Sequence, residues 1–296
     1  AQHREMLDQV LELFGLQPQV DLDIMRANQS LAGITSRVLE GLSPVLERDR
    51  PDALLVQGDT STAFAAGLAA CYHKVPVGHI EAGLRSNDRS MPEELNRLVT
   101  DALANLLLTP SADGDENLRR EGVAEQKIRC VGNVMIDPLV RLLPEAGLLW
   151  PRLSPKLGLK DRQYGLVTLH RPSNVDDPAT LAEIMSALAE ISHELPIVFP
   201  IHPRTRERIA ANNIETGENA NLQLIDPIGY LDFLCLQERA KLVITDSGGI
   251  QEETTYLNIP CLTVRENTER PVTVELGTNT LVGQNMTRLR EETRHI

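Results

Sequence analysis

The stretch ITDSGGIQEETT, Ile244–Thr255, joins an apolar run to an Asp, a Ser-Gly-Gly corner and a segment rich in Glu and Thr. A strand that stops, turns on glycines and opens a helix is the βα unit of a parallel sheet. The N-terminus of such a helix offers unpaired N–H groups and partial positive charge, and glycines let a phosphate approach the backbone. Taken alone, Ser-Gly-Gly is also an ordinary tight turn. It is neither a Walker loop nor GxGxxG, so P-loop NTPases and dinucleotide binders lack their signatures.

Around this unit the same rhythm repeats. On its N-terminal side come YGLVTLH, PIVFPIH and LQLID, each followed by a helical pattern, and on its C-terminal side comes IPCLTV. Nearer the start are ALLVQGD, VPVGHIEAG, LLLTP and KIRCVGN, with helical segments near 61–73, 93–106 and 113–122. Leu7, Val10, Leu11 and Phe14 follow helical spacing up to Gly15, and Ser30 is placed to cap a long helix carrying Leu31, Ile34, Val38, Leu42, Val45 and Leu46. Continuous apolar strands separated by helices predict an α/β protein with parallel sheets covered on both faces. The Pro- and Gly-containing stretch 145–163 breaks the rhythm and reads as a linker between two doubly wound, Rossmann-like domains, 1–150 and 151–296, facing a cleft.

Composition narrows the function. A net charge of −13 argues against a nucleic-acid partner. Cys71, Cys130, Cys235 and Cys261 have no zinc spacing and read as reduced, mostly buried thiols, so no metal is expected. The sequence opens without a signal segment and has no apolar run near the ~18 residues of a membrane span. The reading is a cytoplasmic protein with no membrane partner.

In open α/β sheets, ligands bind beyond the carboxyl ends of the strands. Asp59, Glu81 and Glu93 follow strands or open a helix in the first half. Singly, Asp59 reads equally as a helix cap and Glu93 as a helix-dipole partner. Three carboxylates around one sheet are a candidate acid/base set. In the second half, His170-Arg171 and His202-Pro203-Arg204 end strands, Ser247-Gly248-Gly249 makes the corner, and Arg270 follows another strand. Basic groups gathered at strand ends of an acidic chain point to a phosphate-bearing ligand.

The motifs GDTSTAFAAGLAA, GHIEAGLRS, PEELNR, HRPSN, HPR, TDSGGIQEE and TERP, in this order, resemble the non-hydrolysing UDP-N-acetylglucosamine 2-epimerases. The resemblance implies two Rossmann-like domains in the glycosyltransferase-B arrangement, no added cofactor, a UDP-sugar substrate and a homodimer. It implies anti elimination of UDP to 2-acetamidoglucal and re-addition after reprotonation on the other face. Asp59, Glu81 and Glu93 then take acid/base and electrostatic roles, with His170 beside the diphosphate. Arg171, His202, Arg204 and Arg270 are expected around the anion. The amides after Ser247, at Gly248 and Gly249, meet the diphosphate, Glu253 the ribose and Phe233 the uracil. Gln9 and Arg37 are candidates for a second, allosteric UDP-sugar site, or else lie on polar helix faces. Family members open with a strand, a Gly-Thr-Arg-Pro-Glu loop and a helix before AQHREML. From Ala1 onward, the first sheet is therefore expected without its N-terminal strand. A retaining glycosyltransferase, an epimerase of a modified UDP-HexNAc and a non-catalytic nucleotide-sugar binder are the competing readings.

Overall fold

A computed structural model describes residues 11, 12, 14–26, 29–214 and 221–296, apart from the side chains of 203 and 204. The chain divides into two compact units, Ala1–Asn133 and Val134–Ile296.

In the first unit, α1 (Leu31–Asp49) is capped as its sequence predicts, Ser30 Oγ accepting from the Gly33 amide at 3.1 Å. It ends where Arg50 turns left-handed ahead of Pro51. There follow β1 (Leu54–Gln57), α2 (Ser61–Tyr72), β2 (Val77–Ile80), α3 (Pro92–Leu103), β3 (Leu106–Thr109), α4 (Ala112–Arg120) and β4 (Ile128–Cys130). The four strands form one parallel sheet in the order β1-β2-β3-β4. Register matters most at one place. Val56 pairs with His79 and Gln57 with Ile80, so β1 and β2 end side by side. Gly58-Asp59 and Glu81 therefore leave the sheet next to each other. Val77, Leu107, Leu118 and Ile128 form the apolar layer beneath.

The second unit opens with α5 (Ile136–Gly147) and α6 (Trp150–Leu157). This corrects the expectation of a linker over 145–163. Proline reads as a breaker, but Pro151 sits in the first turn of α6, where its missing N–H costs nothing. Leu139, Leu142, Ala146 and Leu153 bury their side chains, so the segment is packed helix rather than connector. The compact units accordingly divide after Asn133 rather than after 150.

The chain continues through β5 (Gly165–Thr168), α7 (Pro172–Val175), α8 (Pro178–Ile191), β6 (Ile197–Pro200), α9 (Pro203–Ala211), β7 (Leu222–Ile225), α10 (Tyr230–Glu238) and β8 (Leu242–Thr245). It closes with α11 (Gly248–Leu257), β9 (Cys261–Thr263), α12 (Pro271–Glu275), β10 (Asn279–Leu281) and α13 (Met286–His295). All six strands are parallel, in the order β10-β9-β8-β5-β6-β7. The progression reverses between β5 and β8, the topological switch point where doubly wound sheets open a crevice. Leu166, Val167, Leu242, Val243 and Ile244 are fully buried, as both-faces-covered strands require. Each such Leu, Ile or Val contributes roughly 1.5–3 kcal/mol through burial.

Among the cysteines, Cys235 and Cys261 are buried and Cys71 half-buried, whereas Cys130 is exposed at the end of β4. That corrects the sequence reading for this residue: an apolar flank did not bury it. Among the described residues, no helix is long and apolar enough to cross a membrane.

One close backbone approach locks the loop after β2 onto α4. Gly83 has a φ of +81°, and a Cβ there would lie 2.4 Å from the carbonyl oxygen of Gly114. Both the left-handed conformation and the contact with rigid backbone exclude a side chain. Gly83→Ala is expected to cost at least about 2 kcal/mol, read as a lower Tm in scanning calorimetry; an unchanged Tm would show that the two backbones are not in contact.

Candidate active site

The first unit gathers its carboxylates on the loops leaving β1, β2 and entering α3. Gly58 and Glu81 both turn left-handed directly after their strands, with φ of 73° and 68°. For Glu81, which carries a Cβ, this conformation costs roughly 1 kcal/mol or more. The turn brings its carboxylate against the neighbouring loop, since a Cβ on Gly58 would lie 3.2 Å from Glu81 Oε2. Asp59 pairs with Arg97 at 2.5 Å, and the Asp59 carbonyl accepts from Asn96 Nδ2 at 2.9 Å. Asp59 and Glu81, predicted from their strand ends, are thus brought together.

The two glutamates that open α3 have different surroundings. Glu94 is buried and bonded to the Ser86 amide and hydroxyl, the Asn87 amide and Arg97. Burial alone would raise its carboxyl, but these donors outweigh burial and hold it below the usual range. Glu94 is therefore an anchor for the loop 86–87. Glu93 is exposed on the same first turn. The sequence reading named neither Glu94 nor Arg97 as site residues, although both stand in PEELNR.

In the second unit the switch point is occupied by Asp246. The register of β5 and β8, with Thr168 opposite Thr245, sets His170-Arg171 beside Asp246-Ser247. Asp246 is fully buried and accepts from the amides of His170 and Arg171, from Asn174 Nδ2 at 3.0 Å and from His170 Nδ1 at 3.0 Å. Burial works against its charge, yet His170 and the other donors keep its carboxyl below the usual range. The His170 side chain, pinned through Nδ1, is itself more than half exposed. Asp246 and Asn174 were missed from sequence, although Asp246 ends a strand as Asp59 does and the same rule picks it out.

Beside this pair, Ser247 is the N-cap of α11 with no side-chain capping bond, and Gly249 is exposed at its first turn. Gly248 makes a close approach to the TERP loop: a Cβ there would lie 2.6 Å from Glu269 Oε1, so that carboxylate would have to shift. Glu269 is buried, bonded to Arg265 at 2.7 Å and 3.6 Å from Arg171. Arg171 also donates from Nε to the Asp246 carbonyl at 3.1 Å. Arg270 lies 3.2 Å from Glu252, and its amide donates to Thr268 Oγ1. Thr268 in turn donates to Gln251, tying the TERP loop to α11.

Glu253, one turn along α11, is buried and accepts from the Tyr230 hydroxyl at 3.1 Å. Burial, the dominant influence, raises its carboxyl. Phe233 is half-buried on α10, next to Asp232 and three residues from Tyr230. His202 is half-buried after β6, and its carbonyl accepts the amides that start α9. The Arg204 side chain lies outside the described residues, as does Gln9. Arg37 donates from Nε to the Ile24 carbonyl at 2.9 Å and from Nη2 to Gln29, fastening the segment that leads into α1.

A buried acid at the switch point and a helix N-terminus opened by glycines define a Rossmann-like unit of the kind that takes phosphate-bearing ligands. Comparison with known proteins makes this specific. The family profile of UDP-N-acetylglucosamine 2-epimerase matches residues 1–296. The Yersinia pestis UDP-N-acetylglucosamine 2-epimerase is 45% identical over 98% of this chain and 79% of its own length. Its Escherichia coli (strain K12) counterpart is 44% identical over 99% and 80%. The crystal structure of UDP-GlcNAc 2-epimerase from Neisseria meningitidis bound to UDP-GlcNAc superposes with a TM-score of 0.90 at 38% identity, covering 100% of this chain and 81% of that one. The chain belongs to the UDP-N-acetylglucosamine 2-epimerase family.

The Glu269 pairing gives a pH signature. Burial would raise its carboxyl, but Arg265 outweighs burial and holds it at about 2. A carboxyl held below its ordinary value contributes stability that is complete above that value and lost as pH falls through the folded one. The stability difference between the parent and Glu269→Gln is expected to shrink by on the order of 3 kcal/mol as pH falls from about 5. Urea titrations across that range measure it. A difference that stays constant would mean Glu269 is not held ionised by Arg265.

Proposed function

We propose that this protein interconverts UDP-N-acetylglucosamine and UDP-N-acetylmannosamine by elimination and re-addition of UDP. The observation that carries the reading is the pairing of His170 with the buried Asp246 at the start of the Ser-Gly-Gly helix. The motif resemblance, and relatives whose structures contain UDP-GlcNAc, support the same substrate class.

The second unit holds UDP. Amides at Gly248 and Gly249 meet the diphosphate, with Arg171, Arg270, His202 and Arg204 supplying positive charge around it. Glu253 accepts from the ribose, and Phe233 lies against the uracil. His170, oriented by Asp246, donates to the departing diphosphate. The first unit acts on the sugar. C2–H has no adjacent carbonyl to acidify it, so its loss follows departure of UDP and growth of positive charge at C1. Anionic carboxylates lower the energy of that charge. Inversion requires proton transfer on opposite faces of C2, which one fixed base does not serve. Asp59, Glu81 and Glu93 share these roles. The family pattern also carries a cytoplasmic homodimer, needing no cofactor.

Incubation with UDP-GlcNAc in D₂O, followed by NMR, tests the reaction. UDP-ManNAc is expected with deuterium at C2; transfer to an acceptor without C2 exchange would identify a glycosyltransferase, and UDP-GlcNAc binding without turnover a sensor. Glu81→Gln is expected to bind UDP within about 3-fold of the parent while kcat falls by at least about 100-fold. Parental turnover in this variant would remove Glu81 from the catalytic set.

A further inference from the structure

Beneath the loops that carry Asp59 and Glu81 lies a buried polar cluster that the proposed chemistry does not use. His79, in the middle of the sheet on β2, is fully buried. Its Nδ1 lies 2.6 Å from Asp101 Oδ1 and its Nε2 lies 3.0 Å from the carbonyl oxygen of Gly58. Asp101, on α3, meets the Gly83 amide at 3.1 Å and Arg85 Nη2 at 2.8 Å through its other oxygen. Arg85 pairs in turn with Glu121 at 2.7 Å. Burial works against the Arg85 charge, but Glu121 and then Asp101 outweigh it and raise the guanidinium above its ordinary value.

The chemistry of the partners fixes what the imidazole does. A carbonyl oxygen only accepts, and so does a carboxylate that already takes an amide and a guanidinium on its other oxygen. Both ring nitrogens are thus engaged, Nε2 by the Gly58 carbonyl and Nδ1 by Asp101. A polar ring buried in the centre of a sheet is costly unless both ends are bonded. An aliphatic side chain would fill the same space without that requirement. What the histidine adds is a fixed link from α3 to the carbonyl of Gly58, one residue before Asp59. Asp101 extends the link to the amide of Gly83, two residues after Glu81. The turn at Gly58 is also the surface against which the Glu81 carboxylate lies.

We propose that His79, backed by Asp101, is a positioning residue that sets the direction of Asp59 and Glu81 relative to each other. The inference rests on the epimerase activity argued above. It concerns the first unit alone and leaves the UDP-binding groups untouched, which gives it a distinct readout.

Two near-isosteres separate the halves of the link. His79→Gln places an amide N–H where Nε2 stood and keeps the bond to Gly58. His79→Asn places it where Nδ1 stood and keeps only the bond to Asp101. Each loses one hydrogen bond, so a merely structural histidine predicts similar turnover in both. The expected result is a kcat loss on the order of 100-fold for His79→Asn and less than about 10-fold for His79→Gln. UDP affinity by calorimetry and KM should stay near the parental values. Equal kcat in two folded variants, or a loss carried by UDP affinity instead of kcat, overturns the proposal. If His79→Asn does not fold, Asp101→Asn takes its place, and parental kcat there overturns it as well. No epimerisation by the unsubstituted chain would sink the activity reading itself, whereas an active parent with indifferent variants sinks only the positioning role.

Discussion

The second unit is organised around one buried carboxylate. Asp246 has two oxygens and no access to water, so its charge must be met by donors within the fold. Those donors are two consecutive amides, one asparagine and one histidine nitrogen, and all come from the segment after β5, while Asp246 itself directly follows β8. The same contacts therefore bind the two strand ends at the switch point and orient His170. Truncating Asp246 would remove the shared acceptor of the His170 and Arg171 amides. Structural integrity and the presentation of an exposed imidazole are in this sense one requirement.

The first unit solves a comparable problem with longer chains of charge. Asp59, Arg97 and Glu94 run from the β1 loop to residues 86–87, while His79, Asp101, Arg85 and Glu121 run beneath them. Arg97 is set between two carboxylates, and so is Arg85, so the buried charges are met by partners within the fold. Loops carrying reactive carboxylates are mobile unless tied down, and here the ties are hydrogen bonds to the backbone of those loops. Strain at Glu81 is held in place by the same packing.

A good part of this was legible in the sequence because it depends on local pattern. Apolar runs with turn residues announced the parallel strands, Ser30 announced its helix, and the polar residue after each strand announced the side of the sheet that binds. Less legible were residues whose meaning depends on a partner far along the chain. Asp101 looks like a solvent-facing residue near the end of a helix, and Glu269 like a loop charge, until His79 and Arg265 are brought to them. Prolines at 151 and 155 suggested a linker, because local propensity cannot weigh the apolar surface that α5 and α6 bury.

By itself, then, the sequence determined the α/β class, the βα corner at Ser247 and the residue types available for phosphate binding and proton transfer, since strand, turn and capping preferences act over a few residues. Only the tertiary structure decided which of those groups are exposed and which are tied into the scaffold. Glu93 and Glu94 are adjacent and chemically alike, yet one is exposed and the other is buried under four donors. Register and burial, which join residues far apart along the chain, made that distinction.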